Sequence, residues 1–449
     1  MERYFYMNFQ FPKFDSSDPA LNITYQYRCE VYQRHIKKTP AGYVISEFLP
    51  DVPWAGIYNT ISCAASHHFR DGRWLNDTTP LTEYARFWCT EGNPRLYSFP
   101  LVDSVLALEK VTGDLATANE LYPKLREIHR AWDDHKTESG LYTQLCDRDG
   151  MEFSISGDGM RPTLNSYMAA DTYALAHIAE RIGDVEGAKA YRAEADGLRS
   201  LINERLWNPS IGMYGSLSGD GIPQNVREQV GYIPWIYGLP TEGRDGGFRN
   251  LLDPDCFLAK FGLRTADARH PDYMKYIPHS CLWNGPVWPF ATAQTLTAVI
   301  EYLNTAENPV ITAEDFMTLL LQYSASHRDT DGTPWIDENM HPDTGIWLAR
   351  ELLRNANYYM KDRGRHYNHS SFIDLVMTGL CGIRPSEGNT MVIRPLGTSL
   401  DFFTVEEIPY HGHAVGIFWS KAEGLRVTVD GIEKAIIPAD QKAVAVITL

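Results

Sequence analysis

No CxxC pair occurs in this chain, and its seven cysteines (Cys29, Cys63, Cys89, Cys146, Cys256, Cys281 and Cys381) are scattered and odd in number. A disulfide framework or a structural zinc site is therefore not expected, and these residues read as reduced core thiols. Basic charge is short as well: 41 Lys and Arg against 57 Asp and Glu leave a formal charge of -16. That balance disfavours nucleic acid and anionic membranes, which both need a basic footprint, and suits a neutral substrate. No apolar run approaches the ~18 residues of a membrane span. The opening stretch MERYFYMNFQFPKF lacks the basic-then-apolar pattern of a signal peptide, so the sequence as written is expected to be cytoplasmic, or periplasmic if a signal peptide was removed. Also missing are a GxSxG elbow, a GxxxxGK[ST] phosphate loop and a GxGxxG turn. Serine hydrolase, nucleotidase and dehydrogenase readings lack support without them.

What is present is helical periodicity, from about residue 20 to 383. Leu164, Tyr167, Met168, Leu175, Ile178 and Ile182 form one apolar stripe, and Val185, Ala188, Tyr191, Ala195, Leu198 and Ile202 form the next. Gly183-Asp184 joins them as a tight helix–helix turn. Gly113-Asp114 repeats the plan upstream, and Asn304 to Pro309 connects a third pair. The segments between hairpins (38–56, 139–162, 207–226 and 253–289) are long, irregular and rich in Gly, Pro and aromatics. Even spacing and a fixed consensus, the marks of an open solenoid, are absent. The expected fold is therefore mainly α, an (α/α)6 toroid of helical hairpins with its long loops gathered at one mouth. After residue 384 short alternating runs rich in β-branched residues take over. The expected organisation is a 1–384 toroid with an extended N-terminal segment, and a small 385–449 C-terminal β-sheet appendage.

Four loops combine aromatic and acidic residues. PWIDENMHPDTGIW (334–347) holds Asp337 and Glu338 between Trp335 and Trp347, although carboxylates resist burial and indoles seek it. DVPWAGIYNTISCAASHHFRDGRWL carries Trp54, Tyr58, Asp71, Arg73 and Trp74; DRDGMEFSISGDGMRP carries Glu152, Asp158 and Arg161; HSCLWNGPVWPF carries Trp283, Asn284 and Trp288. Two carboxylates from distant loops meeting in one cleft are what glycosidic cleavage needs, one protonated to assist the leaving oxygen and one ionised. Competing motifs are weak. His67 and His68 diverge by ~100° on a helix, so they read as structural, and DRDG (147–150) and DTDG (329–332) do not continue as an EF-hand.

At these loops the sequence resembles the clan of inverting glycosidases that holds glycoside hydrolase family 63 and the trehalases. RDGMEFS resembles the clan's general-acid segment, which would put that role on Glu152. The clan usually has Asp there, so Asp158 stands as the fallback acid. CLWNGPVWPF resembles its Trp-x-Gly-x-Val-Trp stretch, where indoles line the sugar pocket. WIDENMHPDTG resembles its Glu-Asn-Tyr-x-Pro-x-x-Gly, in which the Glu is the general base, here Glu338. YNHSSFIDLVMTGLCGIRP resembles the closing helix, entered by a turn containing Tyr367. The loops also resemble those of bacterial mannosylglycerate-hydrolase-like proteins.

The resemblance implies an exo-glycosidase that inverts configuration on a terminal sugar, an α-glucoside or α-mannoside, with no metal or organic cofactor required. Trp54, Trp74, Trp283, Trp288 and Trp335, with Tyr58 and Tyr367, are the expected sugar-facing aromatics. Arg73, Arg161, Asn284 and Asp71 are the expected hydroxyl readers. The alternatives are a non-catalytic sugar-binding protein, which would not need two opposed carboxylates, and a lyase, epimerase or other glycosidase on the same toroid. A uronate lyase would want an Arg cluster that the loops do not obviously supply.

Overall fold

The computed structural model describes residues 9–449. Its helices, in chain order, are α1 (Pro19–His35), α2 (Ser62–Gly72), α3 (Thr79–Thr90), α4 (Leu101–Thr112), α5 (Ala116–Ala131), α6 (Pro162–Ile182), α7 (Val185–Leu201), α8 (Ile233–Ile236), α9 (Pro289–Thr305), α10 (Ala313–Ala325), α11 (Leu348–Asn355) and α12 (Ile373–Leu375). Helices α2, α4, α6, α8, α9 and α12 touch in that order, and α12 returns to α2, so six inner helices close a ring. Around them lie α1, α3, α5, α7 and α10. A 3-10 turn, Gly246–Leu252, takes the sixth outer place, its Phe248 stacked on Tyr302 of α9 at 4.4 Å. This is the expected (α/α)6 toroid.

Burial follows the layer. Helix α9 is covered on nearly every side, whereas α7 buries only Ala188, Tyr191, Ala195 and Leu198. An inner helix needs apolar or small residues all round; an outer one needs a single stripe. The turn between α6 and α7 is built as its sequence requires. Gly183 sits at φ 81°, a left-handed cap that glycine adopts without strain, and Asp184 accepts a hydrogen bond from Gly187 N at 2.9 Å to start α7.

A five-stranded antiparallel sheet runs in the order β1 (Lys13–Ser16), β2 (Phe402–Tyr410), β3 (His413–Ser420), β4 (Gly424–Val429), β5 (Ile432–Ile437). β1 comes from the N-terminal segment, pairing Phe14 with Val405, so the sheet is not drawn from the C-terminal residues alone. Phe403, Val405, Ile417 and Val427 point into the same apolar core as the helices. The β2–β3 turn docks on the C-terminal end of α4, where His411 N donates to Val111 O at 2.9 Å. Glu387, in the same region, meets His177 of α6 at 2.8 Å. The sheet thus covers the C-terminal ends of inner helices and leaves their N-terminal ends, with the loops that precede them, free.

Ring closure depends on reciprocal bonds between the first and last inner helices. Asp71, at the end of α2, accepts from Phe372 N (3.1 Å) and Asp374 N (2.8 Å) as α12 begins. Asp374 in turn accepts from Arg73 Nε (2.9 Å) and Trp74 Nε1 (2.7 Å). All four side chains are buried. Removing one partner of such a pair strands the other charge without solvent. Asp374→Ala should therefore lower stability by about 3–5 kcal/mol, seen as a lower urea midpoint. A midpoint equal to the parent's would mean that the ring closes without this pair.

Candidate active site

A cleft of about 310 Å³ opens at the N-terminal end of the ring. Its walls come from the segments that lead into inner helices: Ile61 and Cys63 at α2, Tyr97 before α4, Gly150 and Glu152 before α6, Cys281 and Trp288 before α9, and Tyr367 and His369 before α12. Glu47, Phe48 and Trp54 close one side, and Glu338 and Arg363 another.

Glu152 stands on a loop held from within. The Asp149 carboxylate, buried beneath it, accepts from Arg161 Nε (2.8 Å), Thr163 Oγ1 (2.8 Å) and Gln144 Nε2 (2.9 Å). Arg161 Nη1 then donates to Ser154 Oγ, Ser156 Oγ and Gly157 O. Glu152 O accepts from Trp283 N at 3.1 Å, tying the loop to the Trp283–Trp288 segment. The side chain is left facing the cleft. Burial pushes its carboxyl up to about 8, and the negative charge of Glu338 acts in the same direction. This carboxyl holds its proton at neutral pH.

Glu338 has the opposite setting. Arg363 Nη2 lies 3.3 Å from each of its oxygens, and Cys281 Sγ lies 3.8 Å from Oε2. The guanidinium is thereby placed across both carboxylate oxygens and fixes their orientation. Its loop is stapled by Asn339, which donates to Ser280 O (2.9 Å) and accepts from Ala349 N (2.9 Å) as α11 starts. The neighbouring Asp337 does not face substrate. It accepts from Glu338 N (2.8 Å) and Trp335 Nε1 (3.3 Å), and burial pushes it up to about 7. Gly364 packs so closely on it that a Cβ there would fall 1.6 Å from Asp337 Oδ1.

Of the sequence-expected residues, Glu152, Glu338, Trp54, Trp288 and Tyr367 line the cleft. The others do different work. Asp71, Arg73 and Trp74 close the ring. Arg161 is fully buried beneath the Glu152 loop. Asp158 points to the loop's outer side, accepting from Cys146 N (2.7 Å) and Asp147 N (3.0 Å), so the fallback acid is not in the cleft. Tyr58 packs on Phe87. Trp283 is hidden behind Trp288, ring on ring at 4.1 Å, so only the outer indole meets the cavity. Asn284 donates to Lys275 O (2.8 Å), holding its own loop. Trp335 is covered by the Arg350 guanidinium at 3.5 Å.

Sequence reasoning missed Glu47, His369, Arg363 and Cys281 as cleft residues. His369 Nδ1 is 2.9 Å from Glu47 Oε1 and meets the Tyr367 hydroxyl, while its Nε2 is 3.1 Å from Cys63 Sγ. Glu47 Oε2 is buried without a hydrogen-bond partner among the described residues. Burial raises the Glu47 carboxyl above its ordinary range. Only their position in segments rich in aromatics and acids signalled them; neither Glu47 nor Arg363 stands in a recognisable motif.

The sequence matches the family model of the mannosylglycerate hydrolase MGH1-like glycoside hydrolase domain over residues 57–370. Among solved structures, a chain described as a sialidase is 34% identical, with a TM-score of 0.91 over 97% of this chain and 41% of that one. A family 63 mannosylglycerate hydrolase from Thermus thermophilus, in complex with glucose, gives 0.53 at 16% identity over 74% of this chain and 98% of that one. A family 78 rhamnosidase of Bacillus sp. GL1 gives 0.60 at 14% identity over 93% and 41%. These last two likenesses concern the fold. A Borreliella burgdorferi protein described as uncharacterized is 24% identical over 136 residues, 30% of this chain and 28% of that one. The chain thus spans less than half the length of both the sialidase and the Borreliella protein.

In a 13C NMR titration of glutamate-labelled protein, the Glu152 carboxyl should titrate near 8. Glu338→Gln removes the facing negative charge and should lower that midpoint. A Glu152 midpoint in the ordinary carboxylate range would contradict the geometry.

Proposed function

Because the chain belongs to the mannosylglycerate hydrolase MGH1-like glycoside hydrolase family, we propose that it hydrolyses the terminal residue of a neutral glycoside with inversion of configuration. The observation that carries this reading is the contrast between two carboxyls lining one cleft. Glu152 is held protonated by burial, and Glu338 is faced by a guanidinium. Pairs of titratable groups with such divergent environments divide acid and base roles between them.

In the reaction, Glu338 takes a proton from a water that attacks the anomeric carbon, and Glu152 delivers its proton to the departing oxygen. After one turnover Glu152 is ionised and Glu338 protonated, and exchange with solvent resets both. Arg363 orients Glu338 and steadies its charge. Trp54 and Trp288 supply ring faces for the C–H surfaces of the sugar, fixing the orientation on which much of the rate depends. A cavity of about 310 Å³ lies at the small end of ligand pockets, in keeping with one enclosed sugar and an exo mode of attack. Charge supports neutrality. Among the described residues, Glu47, Glu152 and Glu338 face a single cleft arginine, which Glu338 already engages. A sugar carboxylate, which a sialic acid or uronate carries, would find no free guanidinium among the described residues there. Arg73 and Arg161, the arginines a uronate lyase would need, are committed to buried pairs.

Screening aryl glycosides and disaccharides, beginning with α-glucosides, α-mannosides and α-L-rhamnosides, should identify a substrate whose first-formed sugar, by 1H NMR, has the opposite anomeric configuration. Retention in that product would replace the proposed mechanism with a covalent one. Glu338→Gln should fold and bind sugar but lose on the order of 10²–10⁴-fold in turnover, without rescue by azide. Wild-type turnover in that variant would remove Glu338 from the mechanism.

The acid limb has a definite sign. Activity needs protonated Glu152, so kcat/KM should fall as pH rises through about 8. Glu152→Gln should abolish that limb and spare 2,4-dinitrophenyl glycosides relative to disaccharides, because a good leaving group needs no proton. Equal losses on both substrates would argue against Glu152 as the acid.

A further inference from the structure

One aromatic at the cleft mouth is held in a conformation that its own chemistry disfavours. Phe153 follows the acid Glu152 directly, has φ 59° and leaves 41% of its surface exposed. A bulky residue in the left-handed region is an outlier, and a ring left this exposed recovers only part of that cost by packing. The loop imposes the conformation from both sides. Before it, Asp149 binds Arg161; after it, Ile155 N (2.8 Å) and Ser156 N (3.3 Å) donate to Glu228 Oε1. The ring lies beside that of His279, centroids 4.8 Å apart, and His279 lines the cleft. His279 Nδ1 is occupied by the Cys281 backbone (3.0 and 3.1 Å), which leaves Nε2 without a partner among the described residues.

Resting on the acid assignment above, we infer that Phe153 and His279 form the subsite for the leaving group, and that the group bound there is a second sugar ring. The acid must reach the glycosidic oxygen, so whatever that oxygen carries leaves on the Glu152 side of the cleft. Trp54 is on the other side, under the Arg363 guanidinium that faces Glu338 (4.9 Å to the ring). Phe153 offers a flat apolar face for sugar C–H groups, and His279 Nε2 offers one polar contact for a hydroxyl. A ledge of that mixed kind fits a pyranose better than a purely apolar aglycone. Binding energy from this second ring would be used to set the bond against Glu152, so its loss should appear in kcat/KM for disaccharides.

The test compares wild type and Phe153→Gly on glycosyl fluorides of glucose, mannose and rhamnose, and on disaccharides in which each of those sugars is linked to glucose. Fluoride leaves unaided and occupies no leaving-group subsite. The variant should lose about tenfold more kcat/KM on the disaccharide than on the matching fluoride, the scale of one aromatic contact. Glycine accepts positive φ freely, so the thermal midpoint should stay level or rise, whereas a residue kept for folding would lower it. Phe153→Trp should restore disaccharide selectivity. Equal changes on both substrates, or a lowered midpoint with unchanged selectivity, would overturn the subsite and leave the proposed function standing. A wild-type protein inert towards every fluoride and disaccharide would overturn both.

Discussion

A ring of helices exists only if its last member is fastened to its first, and here that fastening is electrostatic and buried. Asp71 receives the opening N–H groups of the last inner helix, and Asp374 receives Arg73 and Trp74 from the end of the first. Neither carboxylate reaches the cleft, yet the cleft depends on both. Closing the ring fixes where each inner helix begins, and the segments before those beginnings form the cleft walls. The sheet covers the opposite end, so cleft and sheet are separated by the length of the inner helices. The longer inner helices α2, α4, α6 and α9 also point the partial positive charge of their N-termini towards the mouth, each favouring an anion nearby by about 0.3–1 kcal/mol.

Within the mouth, position becomes chemistry through unequal desolvation. Glu152 and Glu338 are both carboxyls at a cavity wall, but among the described residues only Glu338 has a guanidinium against it. Burial pushes Glu152 up to about 8 and keeps a proton on it, whereas Arg363 lies across both oxygens of Glu338. Two buried ion pairs keep these settings apart. Asp149 and Arg161 shape the Glu152 loop from below, and Arg363 contacts Glu338 directly. Each leaves substrate-facing atoms free while consuming the donors around them.

Periodicity made the toroid legible. Stripes at helical spacing, broken by Gly-Asp turns, gave the hairpins, and the structure places a left-handed glycine and an aspartate cap at the Gly183-Asp184 turn. The pair Glu152 and Glu338 was legible through motif resemblance, and both line one cleft. Most hydroxyl readers were misplaced for one physical reason: a polar or aromatic residue near a loop looks alike in sequence whether it faces a ligand or a buried partner. Asp71, Arg73 and Trp74 share a segment with Trp54, but helix α2 carries them a full helix length from the mouth. Arg161 follows Gly150-Met151 in the same loop and folds back beneath them. Conversely Glu47 and Arg363 fall just outside the quoted motifs, four residues before DVPW and YNHSS, and only the tertiary fold brings them to His369 and Glu338. The N-terminal strand of the sheet was hidden too, because a strand as short as Lys13–Ser16 shows no clear alternation.

The central claim is that Glu152 and Glu338 flank a single bound sugar from opposite sides. A crystal structure of Glu152→Gln with an uncleaved glycoside measures this directly. The account predicts roughly 6.5–9.5 Å between the Glu338 carboxyl carbon and the residue 152 amide carbon, with a water between Glu338 and the anomeric carbon. A separation near ~5 Å with no room for that water, or a sugar bound elsewhere, would contradict it.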